Sequence, residues 1–275
     1  MTPIVAAKNL DGEISFPWLL FGLGILVIIL FLASVLVGKV AISYSVLVEA
    51  FAEDETAYGV IIREIRFPRA ILALAIGAAL GVAGAALQGL LRNPLAEPGL
   101  IGVSGTAAFG AVIAFYTGFS VTFPFALPLG GMIGAVISVV LLYILAGRDP
   151  SVLTLILAGV AISALAGALT TLALNLSPNP YASFEIFFWL MGSLADRSLD
   201  HVFLALPFII VGLVMLTTTG QDLDALTLGE DVAQSLGVSI LTLQARVIIG
   251  TALTVGASVS VAGVIGFVGL VVPHL

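Results

Sequence analysis

Apolar runs broken by short polar stretches fill nearly the whole chain. Residues 16–38 and 70–91 carry no charge, and neither does anything between 98 and 147. A hydrocarbon core about 30 Å thick takes roughly 20 helical residues. On that length the pattern predicts seven membrane spans, at 16–38, 68–91, 98–116, 125–146, 151–174, 201–218 and 241–262. Residues 263–275 begin an eighth. The first run exceeds the apolar core of a signal peptide, so it reads as a retained span. Residues 184–194 are apolar but short, which fits an interfacial or re-entrant helix flanked by Tyr181 and Trp189. Pro178 and Pro180 end the fifth span.

The polar breaks have their own patterns. Residues 39–64 hold an acidic cluster, Glu53, Asp54 and Glu55, and apolar Val46, Leu47, Ala50 and Phe51 at helical spacing predict a short surface helix there. Residues 221–239 form the longest polar loop after the fifth span. Gly229 and Gly237 suit turn or cap positions, and Glu230 and Asp231 suit a first helical turn, where negative charge is favoured.

Composition agrees with a polytopic all-α membrane protein. Hydrophobic residues make up 60% of the 275 positions and charged residues only 9%, against about 25% in soluble domains. The absence of cysteine excludes disulfides, thiolate metal sites and a cysteine nucleophile. The two histidines, His201 and His274, read as a span start and a helix end rather than haem ligands. A net charge of −7 argues against a nucleic-acid partner. No GxxxxGK[ST] motif occurs, so ATP binding by this chain is not expected. No predicted span has a charge at its centre, which weakens a proton- or sodium-coupled carrier.

One stretch organises the rest: RFPRAILALAIGAALGVAGAALQGLLRNPLAEPGLIGVSG, residues 66–105. Two arginines flank a proline, Arg66-Phe67-Pro68-Arg69. An uncharged helix follows whose Gly77 and Gly81 form a GxxxG pair, predicting burial against other helices. The helix then breaks at Arg92-Asn93-Pro94. Asn-Pro is a helix breaker, and Arg92 pairing with Glu97 would account for the charges. The alternative is that Gln88, Arg92, Asn93 and Pro94 line the inner mouth of a pathway.

This stretch resembles the signature of the FecCD family, the permease subunits of ABC importers for iron-siderophores, haem and vitamin B12. The resemblance implies the type II importer permease fold as one transmembrane domain over residues 1–275. It implies a homodimer in the cell inner membrane, surrounded by lipid, with no cofactor in this chain because ATP and magnesium sit on a separate ATPase. Arg66 and Arg69 would then pair with acidic residues of a binding protein outside the membrane; the bland reading is two arginines snorkelling at the interface. The 221–239 loop would dock into the ATPase through Gly229, Glu230, Ala233, Leu236 and Gly237. An iron chelate is the expected cargo, with vitamin B12 as the alternative.

Loop charges do not set the orientation. Four basic residues (Lys8, Arg92, Arg148, Arg246) fall on one side and five (Lys39, Arg63, Arg66, Arg69, Arg197) on the other, so the amino terminus inside is implied by the resemblance alone. An offset of 179 residues aligns Gly77/Gly256, Ala78/Ala257, Val82/Val261, Ala83/Ala262, Gly84/Gly263, Leu91/Leu270 and Pro94/Pro273, an internal repeat of the kind transporters use. The family resemblance places an arginine and two helices after the AGVIGFVGLVVPHL stretch, so a carboxy-terminally shortened subunit, or an inactive remnant, is a further expectation.

Overall fold

The computed structural model describes residues 16–38, 57–123, 125–147, 150–176 and 180–275. The expectations for the acidic cluster at 53–55, the surface helix near 46–51, the Arg148 loop and the Tyr181 side chain lie outside the described residues. Among the described residues every regular element is helical.

The main helices are α1 (Phe16–Leu36), α2 (Phe67–Leu91), α3 (Val103–Tyr116), α4 (Ala126–Ala146), α5 (Val152–Asn175), α6 (Pro180–Leu190), α7 (Leu199–Thr217), α8 (Gly220–Leu226), α9 (Glu230–Ser235) and α10 (Ile240–Ala262). Six of these stretches are long and apolar enough to cross a membrane, the second running without interruption from Tyr58 to Leu91. The chain divides into two compact units, residues 1–70 and 71–275.

In the first unit, α1 exposes almost its entire surface, including Trp18, Phe21 and Ile28. A uniformly apolar helix of this kind is at home in lipid, where its backbone bonds are all internal. Val35, Ile62 and Ala70 form a small core with Phe31 and Ile61. The π-helical turn Ile61–Arg66 leads directly into α2.

In the second unit α10 is the central helix: 72% of its apolar stretch is buried, against 28% for α4, α5 and α7. Its sequence allows this because from Thr251 onward its polar side chains are small, and three of the four bond to their own helix. Thr254 donates to the Gly250 carbonyl at 2.9 Å, Ser258 to Thr254 at 2.7 Å and Ser260 to Ala257 at 2.7 Å. Such back-bonding hides hydroxyls without demanding a partner helix.

The third predicted span is not one helix. Pro98–Ile101 form a 3-10 turn, Gly102 takes a left-handed φ of 83°, and α3 has only 14 residues, about 21 Å at 1.5 Å per residue. Pro98 and Gly102 interrupt the run, and neighbouring helices supply the missing hydrogen bonds. Ser163 of α5 donates to the Gly99 carbonyl at 2.9 Å, and Ser138 of α4 to Ile101 at 3.2 Å. Irregular backbone at membrane depth requires such partners. The second span begins at Tyr58 rather than 68, so the end of the predicted 39–64 loop is helical. The remaining spans agree with expectation within a few residues, and the short helix expected at 184–194 is α6, Pro180–Leu190. Its end docks on α10, where the Ser193 amide donates to the Ala262 carbonyl at 2.7 Å.

The start of the eighth span is also irregular. Helix α10 stops at Gly263, with a φ of 73°, and only a single turn, Val268–Val271, and a 3-10 turn, Val272–His274, follow. This segment packs against the first copy of the repeat. The contact falls at Gly84, where a methyl would lie 2.6 Å from the Gly269 carbonyl carbon and overlap its oxygen. Of the predicted GxxxG pair, Gly81 faces Val272, but Gly77 has no neighbour within 4 Å of a methyl. The close approach is therefore one turn further along than the motif suggested.

Candidate functional site

Arg66 and Arg69, predicted as a matched pair, have different fates. Arg66 is only 7% exposed. Its Nη1 donates to the carbonyls of Val35 at 3.0 Å and Leu36 at 2.6 Å, the last of α1. Those carbonyls have no intrahelical donor, and a cation at a helix carboxy terminus is favoured by the dipole. Gly38 lies against the guanidinium, where a methyl would come within 2.8 Å of Cζ. Arg66 therefore caps α1, while Arg69 is exposed.

The carboxy-terminal end of α2 is a Schellman stop. The Asn93 amide bonds to the Gln88 carbonyl at 3.2 Å and the Arg92 amide to Gly89 at 3.3 Å, the 6→1 and 5→2 pair of that motif. The residue that must turn left-handed is usually glycine; here it is Arg92, with a φ of 47°. An L side chain in that region costs roughly 1–2 kcal/mol. The Asn93 Oδ1 accepts from the Leu95 amide at 2.9 Å and shapes the following turn.

Gln88, expected to face a channel, is half-buried and committed to packing: its Nε2 donates to the Ala96 carbonyl at 3.3 Å and to Leu270 at 3.2 Å. Pro94 is exposed and its carbonyl lies 2.9 Å from His274 Nε2. His274 thus ties the 3-10 end to the first turn, as a helix-end residue would. His201 sits at the start of α7 in a capping box with Ser198, as expected of a span start.

Arg92 does not pair with Glu97. Its Nη2 lies 2.9 Å from Glu230 Oε1, which joins the end of α2 to the first residue of α9, 138 positions away. The polar loop is a helical hairpin, α8 and α9, hinged on glycines. Gly229 has a φ of 106° and Gly237 of 91°, with no neighbour within 4 Å of a methyl at either, so conformation rather than space requires glycine there. A second ion pair, Arg246 with Asp222 at 3.9 Å, ties α8 to the start of α10.

The outward face of the hairpin differs from the expected one. Ala233 is fully buried and packs inside the chain, whereas Leu228, Val232 and Leu236 are 64%, 44% and 65% exposed. Val232 and Leu236 lie one helical turn apart at the end of α9, and Leu228 precedes the hinge glycine Gly229. The sequence reading found Leu236 but missed Leu228 and Val232; the four-residue spacing of Val232 and Leu236 was the signal available.

Comparison with known proteins gives likenesses of three kinds. The model of the FecCD transport family matches residues 26–275. An uncharacterized ABC transporter permease protein of Bacillus subtilis is 39% identical over 231 residues, covering 82% of this chain and 65% of the relative. The vitamin B12 import system permease protein of Vibrio cholerae is 40% identical over 94% of this chain and 75% of its own length. The hemin transport system permease protein of Yersinia pestis is 36% identical over 97% and 80%. A solved structure described as an inward-facing conformation of a metal-chelate type ABC transporter superposes with a TM-score of 0.84 and 32% identity, covering 94% of this chain and 80% of that one. The chain spans about two thirds to four fifths of the length of these relatives.

Proposed function

Because the chain belongs to the FecCD transport family, we propose that it is the membrane-spanning permease subunit of an ATP-driven importer carrying an iron chelate, a siderophore or haem. It is a multi-pass inner-membrane protein and a transport component, with no chemistry performed on the cargo. Two copies enclose the pathway. A binding protein delivers cargo outside, and separate ATPase subunits, which hold ATP and magnesium, act from inside.

The observation that carries this reading is the α8–α9 hairpin. It stands between two membrane helices, is tied to α2 and α10 by ion pairs, and leaves three large apolar side chains exposed. An amphipathic element of this kind fits a groove on a partner, with Leu228, Val232 and Leu236 as its anchors. Gly229 and Gly237 set the hairpin's angle. On the outer side Arg69 presents its charge to the binding protein, and Arg66 holds α1 beside it. Charge pairing there sets docking register and on-rate more than affinity.

Vitamin B12 is the second reading, favoured by the 40% identity to a vitamin B12 permease over nearly all of this chain. Uptake into proteoliposomes holding the permease, its ATPase and its binding protein separates the two. ATP-dependent entry of a ferric siderophore or haem, with none of cobalamin, supports the first reading. The reverse result overturns it in favour of the second.

A further inference from the structure

The Schellman stop at the end of α2 holds an arginine where glycine would relieve the backbone. Nothing in the helix stop itself calls for that side chain. Its guanidinium instead reaches Glu230 at 2.9 Å, the first residue of α9 and directly after the hinge glycine Gly229. Around this pair the neighbouring parts are closely tied. Gly89, one turn back on α2, faces Leu223 of α8 at 3.4 Å from a methyl position. Gln88 and the Pro94 carbonyl fasten the same turn to Leu270 and His274.

We propose that Arg92 is a positioning residue for transport: its ion pair with Glu230 latches the α9 end of the hairpin to α2, so that hairpin movement is passed to the 92–97 turn. This inference rests on the importer reading above and assigns Glu230 to the chain's own interior linkage rather than to the ATPase. An exposed pair contributes little to stability, which leaves coupling as the property it sets. The most that an exposed pair supplies corresponds to a change in linked response of up to about fivefold.

Three variants test it. Arg92→Gly suits the left-handed backbone and keeps the helix stop. Arg92→Glu sets two carboxylates against each other. Arg92→Glu with Glu230→Arg restores the pair in reverse. In proteoliposomes, cargo moved per ATP hydrolysed is expected to fall by up to about fivefold in Arg92→Gly and further in Arg92→Glu, and to recover in the double variant. Thermal unfolding of Arg92→Gly is expected at or above the wild-type temperature, so a fold defect would be seen as such. A wild-type ratio in Arg92→Gly overturns the latch.

A second measurement needs no transport. The chain lacks cysteine, so spin labels attach only at introduced Leu95→Cys and Gln234→Cys, both exposed positions. The label-to-label distance distribution is expected to broaden in Arg92→Gly and to narrow again in the charge-reversed pair. An unchanged distribution overturns the latch even if the wild type moves no cargo, whereas a wild type without ATP-driven uptake but with the broadening counts against the importer reading alone.

Discussion

The crossing at Gly84 gives the sharpest test of the packing. A methyl there would lie 2.6 Å from the Gly269 carbonyl carbon and 2.8 Å from its Cα. Ordinary van der Waals contact begins near 3.4 Å, so α2 and the 268–271 turn must part by about 1 Å, and no rotamer relieves a clash with backbone. Overpacking of this kind costs about 1–3 kcal/mol. Alanine in place of glycine returns up to about 1 kcal/mol of helix propensity. The net expectation for Gly84→Ala is a loss of about 1–2 kcal/mol, or roughly 5 °C in the unfolding temperature of a domain this size. Gly77→Ala meets no atom within 4 Å and keeps only the gain, about 0.5–1 kcal/mol. Thermal unfolding in detergent, followed by circular dichroism, reads both. Gly84→Ala unfolding at or above the temperature of Gly77→Ala would refute the assigned crossing.

Other expectations follow from single contacts. Arg66→Gln, which leaves the carbonyls of Val35 and Leu36 without their charged donor, should destabilise the first unit by about 1–3 kcal/mol, seen as faster proteolysis near residue 38. Arg69→Glu should weaken binding-protein affinity by surface plasmon resonance without changing that proteolysis. The buried Thr251 hydroxyl has no hydrogen-bond partner among the described residues, so Thr251→Val should be neutral or stabilising by thermal unfolding. Gly229→Ala forces a side chain into a φ of 106° at a cost of about 1–3 kcal/mol, and should lower transport per ATP. Leu236→Asp places a charge among the exposed apolar side chains of the hairpin and should abolish co-purification of the ATPase.

Periodicity and length made most of this fold legible, because a membrane helix must satisfy its backbone internally and therefore declares itself as a long apolar run. The run at 98–116 misled for the same reason. Its apolarity is continuous, yet Pro98 and Gly102 break it, and the hydroxyls that make the break tolerable, Ser138 and Ser163, come from other helices. Local spacing also could not show that Arg66 reaches back 30 residues to α1, or that the partner of Arg92 is Glu230 rather than the nearby Glu97. The GxxxG pair named the right helix but the wrong turn, since only the position of Gly269 decides which glycine is needed. Ala233 was placed on the hairpin correctly, but its direction depends on the helix packed beneath it.

The measurement that bears most directly on the importer is ATP hydrolysis by the permease reconstituted with its ATPase, with and without cargo-loaded binding protein. Hydrolysis stimulated by the loaded binding protein, together with cargo uptake that stops when ATP is withheld, is the predicted result. Uptake driven by a proton or sodium gradient in the absence of ATP would contradict it.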